Sequence, residues 1–203
     1  MSKKEKIESL SPHLSPIMNK LIIANAGEYG GTTVKSSVLG HQASSLASLG
    51  PVLMLMARKR AERQSSEETH GGVKTIGQQE WLTMGMDLYQ KRDTAKENSI
   101  NAVCDTCASY ALYVLDGIIT FKGRFELFKN PSPTHHHFVV VDRAMTSTAD
   151  DCSTWGDDCF VIDQWYARGW VPGNNDGIFA NPGDHLYSTS SYSQVAEFSW
   201  TKT

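Results

Sequence analysis

The pattern of apolar and polar positions divides the chain into a helical first half and a strand-rich second half. After a charged opening, SKKEKIESLS, the run PIMNKLIIANA predicts a short helix. Gly27 to Gly31 interrupt it and a Ser/Thr-rich stretch follows, so residues 1–35 are expected to pack weakly on the body. Residues 36–64 read as two helical pieces divided at Gly50-Pro51, because proline suits the first position of a new helix. The loop QSSEETHGGVKT leads to a helix over Gln78–Arg92, with Trp81, Met84 and Leu88 at three- and four-residue spacing. KRDTAKENSI is polar and reads as a loop. From Cys104 onward, Ala108, Ala111 and Leu115 recur on one helical face, and the alanines let that helix lie close to a neighbour. Asp116-Gly117 end it.

Beyond this point the period changes. IITFKGRFELF alternates and predicts a strand or hairpin turning at Lys122-Gly123. NPSPT is a loop, and HHHFVVV enters a β-branched strand. Arg143 to Asp158 is a polar hairpin excursion, and CFVIDQW is the partner strand. Residues 171–185, VPGNNDGIFANPGDH, form a loop bordering a cleft, and VAEFSW closes the sheet. The predicted class is α+β: a helical N-terminal half, then a helix packed on an antiparallel sheet, with residues 36–203 as a single domain.

Composition adds little to this. The chain has 203 residues, 40% apolar and 20% charged, enough for one domain with a sizeable core. A net charge of −3 gives no global reason to bind nucleic acid or an anionic membrane. The basic cluster Arg58, Lys59, Arg60, Arg63 reads as a solvated helix end, where cations suit the macrodipole. No run approaches the roughly 20 apolar residues of a membrane span; PVLMLMA stops at Arg58. The first twenty residues are polar and broken by Pro12 and Pro16, so no secretory signal of the ordinary kind is expected there.

Chemistry enters through the four cysteines, 104, 107, 152 and 159. A disulfide framework needs an oxidising compartment. A zinc site would join CxxC to a second pair, and C-x6-C is wider than the usual spacing. The preferred reading is one reactive thiol and three structural ones. Cys104 stands at a helix start, where unpaired N–H groups and the dipole stabilise a thiolate and can form part of an oxyanion hole. Asp105 opposes this, since a neighbouring carboxylate disfavours the thiolate.

His135, His136 and His137 cannot all face one metal from an extended strand, because neighbours point to opposite sides. One histidine at the strand's start, aimed at the helix N-terminus, is what a general base for Cys104 requires. Asp163 follows four apolar residues, where a carboxylate is costly unless paired. Holding a histidine in its productive tautomer would repay that cost; capping a turn is the plainer role. No metal or cofactor is called for.

The order Cys at a helix start, His-x-Phe-Val-Val-Val, then Val-Ile-Asp-x-Trp resembles papain-like cysteine hydrolases and transglutaminase-like folds. It looks most like their bacterial toxin and effector branch, which includes cysteine proteases and protein glutamine deamidases. Cys104, Ala108 and Ala111 match that branch's Cys-x-x-x-Ala-x-x-Ala. His136, Phe138, Val139, Val140 and Arg143 match His-x-Phe-Val-Val-x-x-Arg. Asp163-Gln164-Trp165 departs from Asp-Pro-Trp by Gln for Pro. Ala102-Val103 replace the frequent Gly-Asn before the nucleophile, and Thr106 replaces an acidic residue. The likeness covers residues 100–170.

The resemblance implies a papain-like core with Cys104, His136 and Asp163 as the catalytic trio. Cys107, second in the CxxC as in papain proper, and His137, one residue further along its strand, stand as rivals. It also implies a host protein as substrate and export into the host cytosol without a cleaved signal, with residence in the producing cell's cytoplasm otherwise. Trp165, Tyr166 and Trp170 are placed either as walls of the site or as packing behind the sheet. A transglutaminase-like acyl transferase, a non-catalytic binding module and a zinc-binding adaptor are the alternatives.

Overall fold

The computed structural model describes residues 1–26, 34–36, 78–118, 120, 122–130, 136–189 and 194–203. The two helical pieces after residue 36, their basic cluster and Met/Leu stripe, the loop at 64–75, NPSPT beyond Asn130, and His135 lie outside the described residues.

The chain starts with helix α1, Lys3–Met18. Ser2 and Glu5 cap each other's backbone N–H groups in a capping box. Leu10, Leu14 and Ile17 are fully buried, so the expectation of a weakly packed N-terminal segment is corrected for this helix. Pro12 and Pro16 lie inside it. Each removes a backbone donor, yet the apolar stripe at four- and three-residue spacing is buried against the body and keeps the helix in place.

Strand β1, Leu21–Ala26, takes the place of the short helix predicted from Pro16. It pairs antiparallel with β2, Val34–Ser36, and parallel with β3, Ile100–Ala102. The β-branched Ile22 and Ile23 suit a pleated surface, and β3 supplies the partner, which only the fold brings alongside. The first half is therefore not wholly helical. Helix α2, Gln78–Lys91, follows the predicted span closely, with Trp81 and Leu88 buried.

Helix α3, Cys104–Tyr113, is central. Its buried residues include Cys107, Ala108, Tyr110, Ala111 and Leu112, so it is enclosed on more than the one face its apolar spacing marks. Gly85 of α2 lets the two helices touch: a Cβ there would lie 2.0 Å from the Ser109 carbonyl oxygen. A π turn, Val114–Ile118, carries the helix through Asp116-Gly117 before it ends.

The main sheet is antiparallel in the order β7-β6-β5-β4-β8. Its strands are β4, Gly123–Asn130, β5, His136–Val141, β6, Phe160–Ile162, β7, Ile178–Phe179, and β8, Val195–Lys202. Every residue of the central β5 is buried, which accounts for its continuous apolar run. The excursion between β5 and β6 is held by fully buried Trp155, whose indole donates to the Thr148 carbonyl at 2.8 Å. Arg143 forks onto Glu126 at 2.9 and 3.0 Å, at the opposite end of β5 from its histidines. The fold is α+β, with five helices and an antiparallel sheet among the described residues. No helix among them is long and apolar enough to cross a membrane.

Candidate active site

Cys104 is the first residue of α3 and follows β3 with only Val103 between them. The small sheet thus fixes where the helix begins. Val103 is the N-cap and offers no side-chain hydrogen bond, so no side-chain cap occupies the first-turn N–H groups. Cys104 is half-buried and Cys107, one turn deeper, is buried.

His136 opens β5. Its Nε2 lies 2.5 Å from Asp163 Oδ2, which leaves Nδ1 as the ring nitrogen for the thiol. Asp163 ends β6 and caps helix α4, Gln164–Trp170. Oδ1 accepts from the Tyr166 backbone N–H at 2.9 Å, while Oδ2 takes His136. The two roles open to this carboxylate, cap and orienter, therefore hold together, one on each oxygen. The predicted strand through Trp165 is corrected: it stops at Ile162, because Asp163 starts a helix.

A second histidine shares Asp163. His185 Nε2 lies 2.9 Å from Oδ2. The Ser188 backbone N–H donates to His185 Nδ1 at 3.3 Å, so the proton sits on Nε2 and points at Asp163. That tautomer suits a hydrogen-bond donor rather than a metal ligand at Nε2. His185 belongs to the loop expected to border a cleft. A lone histidine in a Gly/Pro-rich stretch carries no periodic signal, and only Ser188 three residues later hints at a local contact.

His137 faces a different set of groups. Its Nδ1 lies 2.7 Å from Asp105 Oδ1 and its Nε2 3.3 Å from Glu197 Oε2 on β8. Lys129 completes the chain at 3.2 Å from Glu197. The Cys104 thiol lies 3.4 Å from the same Asp105 oxygen. The carboxylate expected to burden the thiolate is therefore paired with a cation. Nothing in the sequence marks Glu197, because a single charge in an alternating edge strand reads as solvent-facing.

The electrostatics follow from these contacts. Burial and Asp105 push the Cys104 thiol up, but hydrogen bonds with His136 and His137 and the His136 charge outweigh them, so it ionises below an ordinary thiol. Burial pushes His136 down, yet the Asp163 charge and hydrogen bond carry it up to about 9. Burial likewise works against charged His137, and Asp105 and Glu197 raise it well above the ordinary value. Burial would raise Asp163, but His136 and His185 hold it well below the usual carboxylate range. Burial and the His136 charge keep His185 low despite Asp163. Burial, with nearby Asp163 and Cys104, pushes Cys107 well above the ordinary thiol. These contacts thus favour a thiolate beside two imidazoliums.

Aromatic rings enclose His136. Tyr187 lies 4.0 Å and Trp165 4.9 Å from it between ring centroids. Trp165 also touches Trp170 at 4.5 Å. Trp165 is buried and Trp170 half exposed at 41%, so the first packs behind the base and the second reaches the surface.

Cys104, His136 and Asp163 come together, and His137 joins them at the same thiol. Both histidines hydrogen-bond the thiol, but His137 also has a carboxylate at each ring nitrogen, whereas His136 has one at Nε2. Cys107 lies deeper and is disfavoured as a thiolate. No protein-family model matches the chain, and neither curated proteins nor solved structures give a match.

Proposed function

We propose that this protein is a thiol-dependent hydrolase of protein amide bonds, working through Cys104, His136 and Asp163 on a papain-like core. The observation that carries this reading is His136 itself: one ring nitrogen 2.5 Å from a buried carboxylate, the ring hydrogen-bonded to a thiol at a helix start. A side-chain carboxylate on one imidazole nitrogen and a nucleophile on the other is the relay that acyl transfer to sulfur needs.

In this scheme the Cys104 thiolate attacks an amide carbonyl, forming the C–S bond. First-turn N–H groups stabilise the oxyanion. His136 gives its proton to the leaving nitrogen as the C–N bond breaks. It then takes a proton from water, whose oxygen attacks the thioester and releases Cys104. Asp163 holds the ring and its charge throughout. A Gln or Asn side chain would release ammonia, and a backbone amide would release a new amino terminus. The motif likeness makes a host protein the substrate and a bacterial effector the setting.

Two measurements test this. Iodoacetamide at neutral pH should label Cys104 well before the other thiols; equal labelling of all four, or Cys107 first, would defeat the assignment. Intact-mass analysis of host-cell proteins exposed to wild type and Cys104→Ala should then show a change only with wild type. A gain of about one mass unit means deamidation, fragments mean proteolysis, and a cross-linked species means transfer to an amine. No change in any protein would sink the enzymatic reading.

A further inference from the structure

We propose that Cys104, Asp105 and His137 form a site for one thiophilic divalent cation, zinc in particular, and that the ion holds the nucleophile in a resting form. The regulatory half of this rests on the hydrolase reading above; the binding half does not.

The Cys104 sulfur, an Asp105 carboxylate oxygen and a His137 ring nitrogen all lie within 4.8 Å of one another. Bond lengths of about 2.3 Å to sulfur and about 2.0–2.1 Å to nitrogen or oxygen put zinc ligands roughly 3–4 Å apart, so only small shifts bring these three onto one ion. His136 also hydrogen-bonds the thiol and is a further imidazole at the same sulfur for a tetrahedral ion.

The surroundings match as well. A metal-bound histidine usually donates its other ring N–H to a carboxylate, which fixes the ring and raises its basicity. His137 has that partner: with Nδ1 at Asp105, Nε2 faces Glu197, itself held by Lys129. The cation would take the place of the proton between His137 Nδ1 and Asp105. One proton leaves His137 and one leaves the Cys104 thiol, both to solvent, so the sulfur binds as thiolate and no electrons move.

Thiolate and imidazole together select zinc over magnesium or calcium, which prefer oxygen donors. The second three-residue cluster, His136, Asp163 and His185, lacks these properties. It has no sulfur, and Ser188 holds the His185 proton on the nitrogen that would have to bind the metal. This site also differs from a four-cysteine zinc site, since it uses neither Cys107 nor the pair Cys152 and Cys159.

Cobalt(II) serves as the spectroscopic probe and zinc competition with a chromophoric chelator gives affinity. The full chain should bind one ion and show a thiolate-to-cobalt charge-transfer band in the near ultraviolet. Cys104→Ser should abolish that band. His137→Gln should weaken zinc binding at least about tenfold, and Glu197→Gln by about 10–100-fold through the outer hydrogen bond. Cys107→Ser, Cys152→Ser and Cys159→Ser should each retain it. Selective alkylation of Cys104 in wild type repeats the test where a variant fails to fold. Substoichiometric binding, or a band that survives alkylation of Cys104, overturns the proposal. Zinc should also protect Cys104 from iodoacetamide. A fast Cys104 that zinc does not protect defeats the metal site alone, and a slow Cys104 with an intact cobalt band defeats the hydrolase alone.

Discussion

Asp163 accepts three donors: His136 and His185 on one oxygen and the Tyr166 backbone on the other. Its conformation is fixed before any substrate arrives, and so is the ring of His136. At this scale the iodoacetamide reaction reads the thiol directly. Its rate for Cys104 should rise with pH through an inflection below that of Cys152 or Cys159, both pushed up chiefly by burial, Cys159 to about 12. His136→Gln removes a hydrogen bond and a charge while burial and Asp105 remain, so that inflection should move up. The rate at neutral pH should then fall, because less of the thiol is ionised there. Asp163→Asn should move it the same way by lowering His136. An unmoved profile in both variants would remove His136 from the relay.

The functional elements are legible to different depths. Helices α2 and α3 and strand β5 announce themselves by apolar spacing, and their predicted positions match. Strand β1 does not, because LIIANA pairs with β3 from nearly eighty positions later, and no local pattern reports that. Helix α1 is hidden by its prolines. The α2–α3 contact depends on Gly85, whose missing Cβ admits the Ser109 carbonyl. Gly85→Ala should destabilise the fold by about 1–3 kcal/mol through overpacking, measured by urea denaturation. Leu14→Ala, in the buried stripe of α1, should cost about 2–5 kcal/mol. A neutral result at Leu14 would return α1 to a loosely attached segment.

Across the whole molecule, α1 links the two helices that carry the site. Tyr110 of α3 donates to the His13 carbonyl at 2.5 Å, and Gln164 of α4 donates to the Leu14 carbonyl at 3.0 Å. Removing residues 1–18 should therefore abolish fast labelling of Cys104 and lower the thermal midpoint, rather than merely shorten the chain. The charged relay also ties stability to pH. In Cys104→Ala the thiol no longer titrates, and the rise of His136 rests on Asp163. A histidine whose folded pKa is raised from 6.5 to about 9 stabilises fully below about 6.5 and loses that contribution as pH rises through about 9. The thermal midpoint of Cys104→Ala should fall above about pH 6.5, over a window that ends short of pH 9 because the thiol's share of the rise is gone, and the fall should shrink when His136→Gln is added. Asp163, depressed by the same partners, contributes above the ordinary carboxylate range and loses its share as pH falls to acid.

The sequence by itself determined the chemistry on offer: a cysteine at a helix start, histidines entering a β-branched strand and an aspartate leaving an apolar one. Period and residue type are local, so they survive in a string of letters. Only the tertiary structure gave the neighbouring histidines different partners. His136 and His137 are adjacent in sequence and both hydrogen-bond the thiol, yet one is held by Asp163 while the other lies between Asp105 and Glu197. That difference arises because His136 lies beside Asp163 at the start of α4 while His137 reaches Asp105 of α3 and Glu197 of β8. His185 and Glu197 joined the site for the same reason: their roles come from distances closed by folding, and such distances leave no mark in the local pattern of the chain.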